Sequence, residues 1–94
     1  MSGSARPPDA LARAVTLLES GSWREAHLIV QEQPSDLAAW LHGIVHTIEG
    51  DLDNARYWYR RARRPFPGPA AVAAEIAGAR RALEDEATRP EEDA

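Results

Sequence analysis

The stretch Gly21-Ser22-Trp23-Arg24-Glu25-Ala26 returns further along the chain as Gly50-Asp51-Leu52-Asp53-Asn54-Ala55. In each copy a glycine closes one helical-looking segment and an alanine five positions on sits in the next. Glycine permits the left-handed backbone that ends a helix. Alanine, with its small side chain, lets the returning helix approach closely. Internal recurrence of this kind is the mark of repeated helical hairpins. It predicts an all-α chain, and strands are disfavoured because no segment alternates β-branched and polar residues.

Working outward, apolar periodicity predicts a compact bundle of five helices. The first runs over about 9–20, capped by Asp9, and buries Leu11, Ala14, Val15 and Leu18. The second, about 22–32, carries Trp23, Ala26 and Val30 on one side and ends before Pro34. A third helix over 36–49 has a broad apolar face of Leu37, Trp40, Leu41, Ile44, Val45 and Ile48, with His42, Gly43, His46 and Glu49 opposite. The fourth, 51–64, turns Leu52, Ala55, Tyr59 and Ala62 inward. Pro65-Phe66-Pro67-Gly68-Pro69 is a stiff connector. A fifth helix, about 70–86, buries Val72, Ile76, Ala79 and Leu83. One helical domain is therefore expected over 9–87, with hairpins 9–34 and 36–64 and a cap helix 70–86. Residues 1–8 and the acidic tail 88–94 are expected to lack order.

The second hairpin resembles a tetratricopeptide repeat, whose pattern is W-x2-L-G-x2-Y…A-x3-F…P over about 34 residues. With the glycine placed at Gly43, the alanine falls at Ala55, the phenylalanine at Tyr59 and the proline at Pro67, so residues 36–69 read as one repeat. The first hairpin resembles a shortened repeat through Gly21 and Ala26. His42 and His46 stand where the family has leucine and tyrosine, and Ala39, beside Trp40, replaces the tryptophan. The resemblance implies two tetratricopeptide-like hairpins and a protein- or peptide-binding role, with the fifth helix covering the open end. The run from His42 to Arg61, HGIVHTIEGDLDNARYWYRR, is also similar to a small family of uncharacterised bacterial proteins. That family carries paired histidines, then Asn-Ala-(Lys/Arg)-Tyr-Trp and two arginines. The likeness implies a role beyond packing for these polar residues.

With no cysteine in 94 residues, disulfide frameworks, thiolate zinc sites and cysteine catalysis are excluded. The opening residues lack the apolar core of a signal peptide and no run is long enough to span a membrane, so a cytoplasmic protein is expected. Net charge is −4, yet Arg56, Arg60, Arg61, Arg63 and Arg64 cluster while 84–94 holds six acids against one arginine. An acidic balance disfavours nucleic acid, which is bound by phosphate neutralisation.

Two constellations carry candidate chemistry. His42 and His46, four apart on one helix with Glu49 a turn further, form a face that could ligate a divalent metal, and His27 could join if packing brings it near. The competing reading makes both histidines semi-buried hydrogen-bonding residues held by Tyr57, Asp53 or a backbone carbonyl. It is preferred on sequence, so zinc, nickel and chelators are expected to leave the melting temperature unchanged, and no cofactor is assigned. On the fourth helix, Asn54, Tyr57, Arg60, Arg61 and Arg64 form a polar set suited to an acidic protein or peptide, or to a second copy of the chain. Trp23, Trp40 and Trp58 are read as packing residues, and Leu28 as exposed. No nucleophile elbow, phosphate loop or carboxylate pair with a clear cleft appears, so no catalytic residue is assigned and an enzyme is not expected.

Overall fold

A computed structural model describes residues 7–88. Its helices are α1 (Pro7–Glu19), α2 (Trp23–Val30), α3 (Asp36–Glu49), α4 (Leu52–Arg61) and α5 (Val72–Thr88), with one 3-10 turn at Pro69–Ala71 before α5. Among the described residues there is no strand, and no helix is long and apolar enough to cross a membrane. The expected all-α bundle of five helices is what forms.

Helix boundaries follow local chemistry. α1 starts at Pro7, two residues before the expected Asp9, because proline's fixed φ suits a first turn and its missing N–H is no loss there. Pro7, Pro8 and Thr88, expected to lack order, are helical, and the rest of the expected unstructured ends, 1–6 and 89–94, lies outside the described residues. Gly21 (φ 86°) and Gly50 (φ 95°) take the left-handed conformation anticipated from the repeat. At each, the next N–H bonds back across the turn: Ser22 N–H to Leu17 O at 2.8 Å and Asp51 N–H to His46 O at 3.0 Å. Ser35 caps α3 by accepting from Ala38 N–H at 3.1 Å. α2 stops at Val30 rather than near Glu32, since Glu32 and Gln33 tighten into three-residue bonds to Ile29 and Val30.

α3 is the central element. α4 packs on one side of it, α2 on another, and α5 lies against both α1 and α3. Every residue from Ala38 to Thr47 is buried, so the polar side expected for this helix is interior too. Thr47 is accommodated by donating its hydroxyl to Gly43 O at 2.8 Å. The anticipated stripes of α1, α4 and α5 supply the core apart from Leu52, which is only half-buried, with Leu37, Ile48, Trp23, Trp58 and Val72 at its margins and Leu28 exposed.

Gly43 permits the tight α3–α4 crossing. A β-carbon there would stand 2.5 Å from Tyr59 Cδ1 and 3.3 Å from Ala55 O. The small residues singled out from the repeat thus meet where two helices come closest. That close approach carries the α3 face bearing His42 and His46 up to α4.

Candidate metal centre

The chain has three histidines, and all three converge. A separation of four residues stacks His42 and His46 on one face of α3. His27 reaches them from α2, next to Ala26, whose burial sets that helix hard against the core. The ring centroids form a near-equilateral triangle: His27 to His42 4.8 Å, His27 to His46 5.1 Å and His42 to His46 5.0 Å. One ring nitrogen from each lies within 4.8 Å of the other two, and His27 Nε2 and His42 Nε2 are 3.0 Å apart in a shared hydrogen bond. Donors bound to a tetrahedral zinc at about 2.0–2.1 Å stand roughly 3.3 Å from each other. The triangle is therefore of a size that small ring rotations would adapt to an ion.

Outer partners fix two of the rings. Glu49 Oε1 lies 2.7 Å from His46 Nδ1, a contact that fixes the tautomer and leaves Nε2 as the free donor nitrogen. Carboxylate–imidazole pairs of this form orient metal-bound histidines and raise their basicity. His42 stacks on Trp58 of α4 with centroids 3.9 Å apart and planes 7° from parallel. Arg61 lies over the same indole, 5.5 Å from its centroid, and Tyr57 meets it edge-on.

Electrostatics hold His42 and His27 towards the neutral form a metal needs. Burial, with the neighbouring His27 and His46, pushes His42 down to about 4. Burial and then His46 also lower His27, against an opposing pull from Glu49. Neutral imidazoles have lone pairs to give, whereas imidazoliums have none. An all-nitrogen set suits zinc, copper, nickel or iron(II) and not magnesium or calcium, which take oxygen donors.

Of the residues considered from the sequence, Glu49 lies against His46 Nδ1, and His27 joins His42 and His46 in the triangle. The alternative partners Tyr57 and Asp53 are not what the histidines bond; His42 pairs with His27 and His46 with Glu49. A second acidic grouping, His46, Glu49 and Asp51, shares the edge of the cluster. Its two carboxylates are exposed, and Asp51 is engaged in capping α4 through Asn54 N–H and Nδ2. His27 was named from the sequence as a residue that could join, and it neighbours the inward Ala26. The stack on Trp58 was not, because indole packing carries no spacing rule.

The anticipated partner-binding set runs along α4 and the turn after it. Tyr57 is exposed and accepts from Arg61 Nη1 at 3.3 Å, with Arg60 exposed nearby on the helix. Asn54 is tied into the α4 cap. Arg64 lies past the end of α4 with its guanidinium 3.5 Å over the Trp40 ring. No family model, curated protein or solved structure matches the chain.

Proposed function

We propose that this small helical domain binds a divalent transition-metal ion, zinc being the natural candidate, through His27, His42 and His46, with Glu49 holding His46 from behind. The observation that carries this reading is the convergence of every histidine in the chain on one triangle, together with the carboxylate on Nδ1 of one of them. Packing alone would not require three imidazoles in contact, two of them buried. It would be served by the leucine and tyrosine that a tetratricopeptide-like hairpin places at positions 42 and 46.

The direct test is equilibrium dialysis and thermal melting with zinc, nickel and chelator. An ion bound only by the folded chain stabilises it by mass action, about 2.7 kcal/mol at a hundredfold excess over its Kd. One equivalent of zinc should bind and raise Tm. His27→Ala should abolish both effects while leaving a folded helical spectrum, and Glu49→Gln should weaken binding about 10- to 100-fold. An unchanged Tm, or zinc binding indifferent to His27→Ala, would overturn the assignment.

A second reading, a non-enzymatic tetratricopeptide-like domain that binds an acidic protein or peptide, is favoured by the exposed Tyr57 and its bond from Arg61. A planar aromatic beside guanidinium forks suits carboxylate-bearing partners. Arg60→Glu/Arg61→Glu should abolish capture of any acidic protein partner at low salt, and retention of all partners would remove this surface from consideration.

A further inference from the structure

Three donors are one fewer than zinc and its neighbours require, and the identity of the fourth decides what the centre can do. Structural zinc sites close the sphere with four protein ligands, whereas sites that act on other molecules keep three and leave a position open. Around this triangle, among the described residues, no fourth histidine or carboxylate joins the converging set. The nearest acid, Glu49, has turned its Oε1 to His46 Nδ1. Asp51 is committed to the α4 cap and groups with His46 and Glu49, not with His27 and His42.

The triangle is also lopsided in its exposure. His42 and His46 are 5% and 7% exposed and form the inner corners. His27 is only half-buried and stands at the solvent edge on α2, beside the exposed Leu28. Trp58 covers one face of His42 and cannot ligate an ion, so α4 walls the site without closing it. Three neutral imidazoles contribute no charge to the coordination sphere, which leaves both positive charges of the ion uncancelled there. Glu49 offsets part of that charge through His46 and from an exposed position.

We propose that the ion bound here keeps an exchangeable fourth position, open to solvent on the His27 side, and that this position takes a small monoanionic donor ligand. The inference rests on the metal reading above. It makes the centre a ligand-binding site, not a structural clip.

Cobalt(II) reports the two steps separately, because its visible absorption depends on coordination number and ligand identity. The full-length protein is loaded with one equivalent of cobalt(II) and titrated with sodium azide, with circular dichroism confirming that it stays folded. The expected result is a visible band on loading that shifts in position and intensity as azide is added, saturating at one azide per cobalt and reversing on dialysis. A cobalt spectrum unmoved by azide would overturn the open position while leaving the metal reading intact. Absence of any cobalt spectrum, with no zinc binding by dialysis, would overturn both.

Discussion

A methyl group added at Gly43 would lie 2.5 Å from Tyr59 Cδ1 and 2.8 Å from Cε1. Tyr59 cannot easily yield, being 2% exposed with its hydroxyl bonded to Glu75 at 2.8 Å. Helix propensity alone would favour alanine by about 1 kcal/mol. Overpacking costs about 1–3 kcal/mol and acts against it. Gly43→Ala should therefore lower stability by about 1 kcal/mol in urea denaturation, and a stabilised variant would show that the two helices are not in the described contact. This position was legible from the repeat spacing, because a close helix crossing needs a residue without a side chain at a set distance from its alanine. The state of His42 was not legible, since it depends on burial and on two other rings. Its native value of about 4 lies below the 6.5 of an exposed histidine. The unfolded chain thus takes up the proton first as pH falls. Stability contributed by neutral His42 is complete above 6.5 and is lost as pH drops towards 4, by about 2 kcal/mol between pH 7 and pH 5. The lowered His27 acts in the same direction. Metal-free His42→Gln should flatten the dependence of the urea midpoint on pH over this window, and an unaltered slope would place the acid sensitivity elsewhere.

At the scale of the elements, three helices end in the same left-handed turn with different residues in it. Glycine supplies the turn after α1 and α3, but after α4 it is Arg63, at φ 64°. The bonds are those of the glycine turns: Arg64 N–H reaches Tyr59 O at 3.0 Å and Arg63 N–H reaches Arg60 O at 3.0 Å. The run of arginines reads as helix to Arg64, since arginine is a good helix former. What stops it earlier is Pro65, which disfavours helical backbone in the residue before it and leaves the chain to turn at Arg63. A side chain held left-handed costs about 1–2 kcal/mol relative to glycine. The Arg63 side chain returns little, its approach to Asp36 being 4.0 Å between exposed groups. Arg63→Gly should raise stability by about 1 kcal/mol without altering helix content. A destabilised Arg63→Gly protein would mean that the arginine side chain holds the connector in place. The two glycine turns were visible as a repeat, whereas this one has no glycine to announce it.

The whole molecule is tied by contacts that periodicity does not encode. The apolar stripe of α5 was readable, and with it the idea that this helix covers the open end of the second hairpin. Its anchoring was not, because Glu75 carries no motif and its partners lie far back in the chain. Trp40 Nε1 of α3 donates to Glu75 Oε1 at 3.0 Å, and Tyr59 Oη of α4 donates to the same oxygen at 2.8 Å. Burial, reinforced by Glu75, raises the Tyr59 phenol well above its ordinary range, so it stays a donor. At the other side of α5, Arg80 clasps Glu19 at 2.8 Å and Thr16 at 2.9 Å, which joins the last helix to the first. These two points explain why α5 is fixed across α1, α3 and α4, the packing that keeps α3 and its histidines in the interior. The inner point should be the stronger, since the Arg80 pair is solvent-facing and such pairs contribute little. Glu75→Ala would strip a common acceptor from two donors in a largely buried setting, each loss amounting to about 1–3 kcal/mol. Glu75→Gln keeps a carbonyl oxygen in place and should cost less than about 1 kcal/mol, while Arg80→Ala should cost about as little. Guanidinium denaturation of the three variants should therefore rank Glu75→Ala far below the other two. If Glu75→Ala unfolded at the wild-type midpoint, α5 would be held by Ile76, Ala79 and Leu83 alone, and the polar clamp would have no part in closing the bundle over α3.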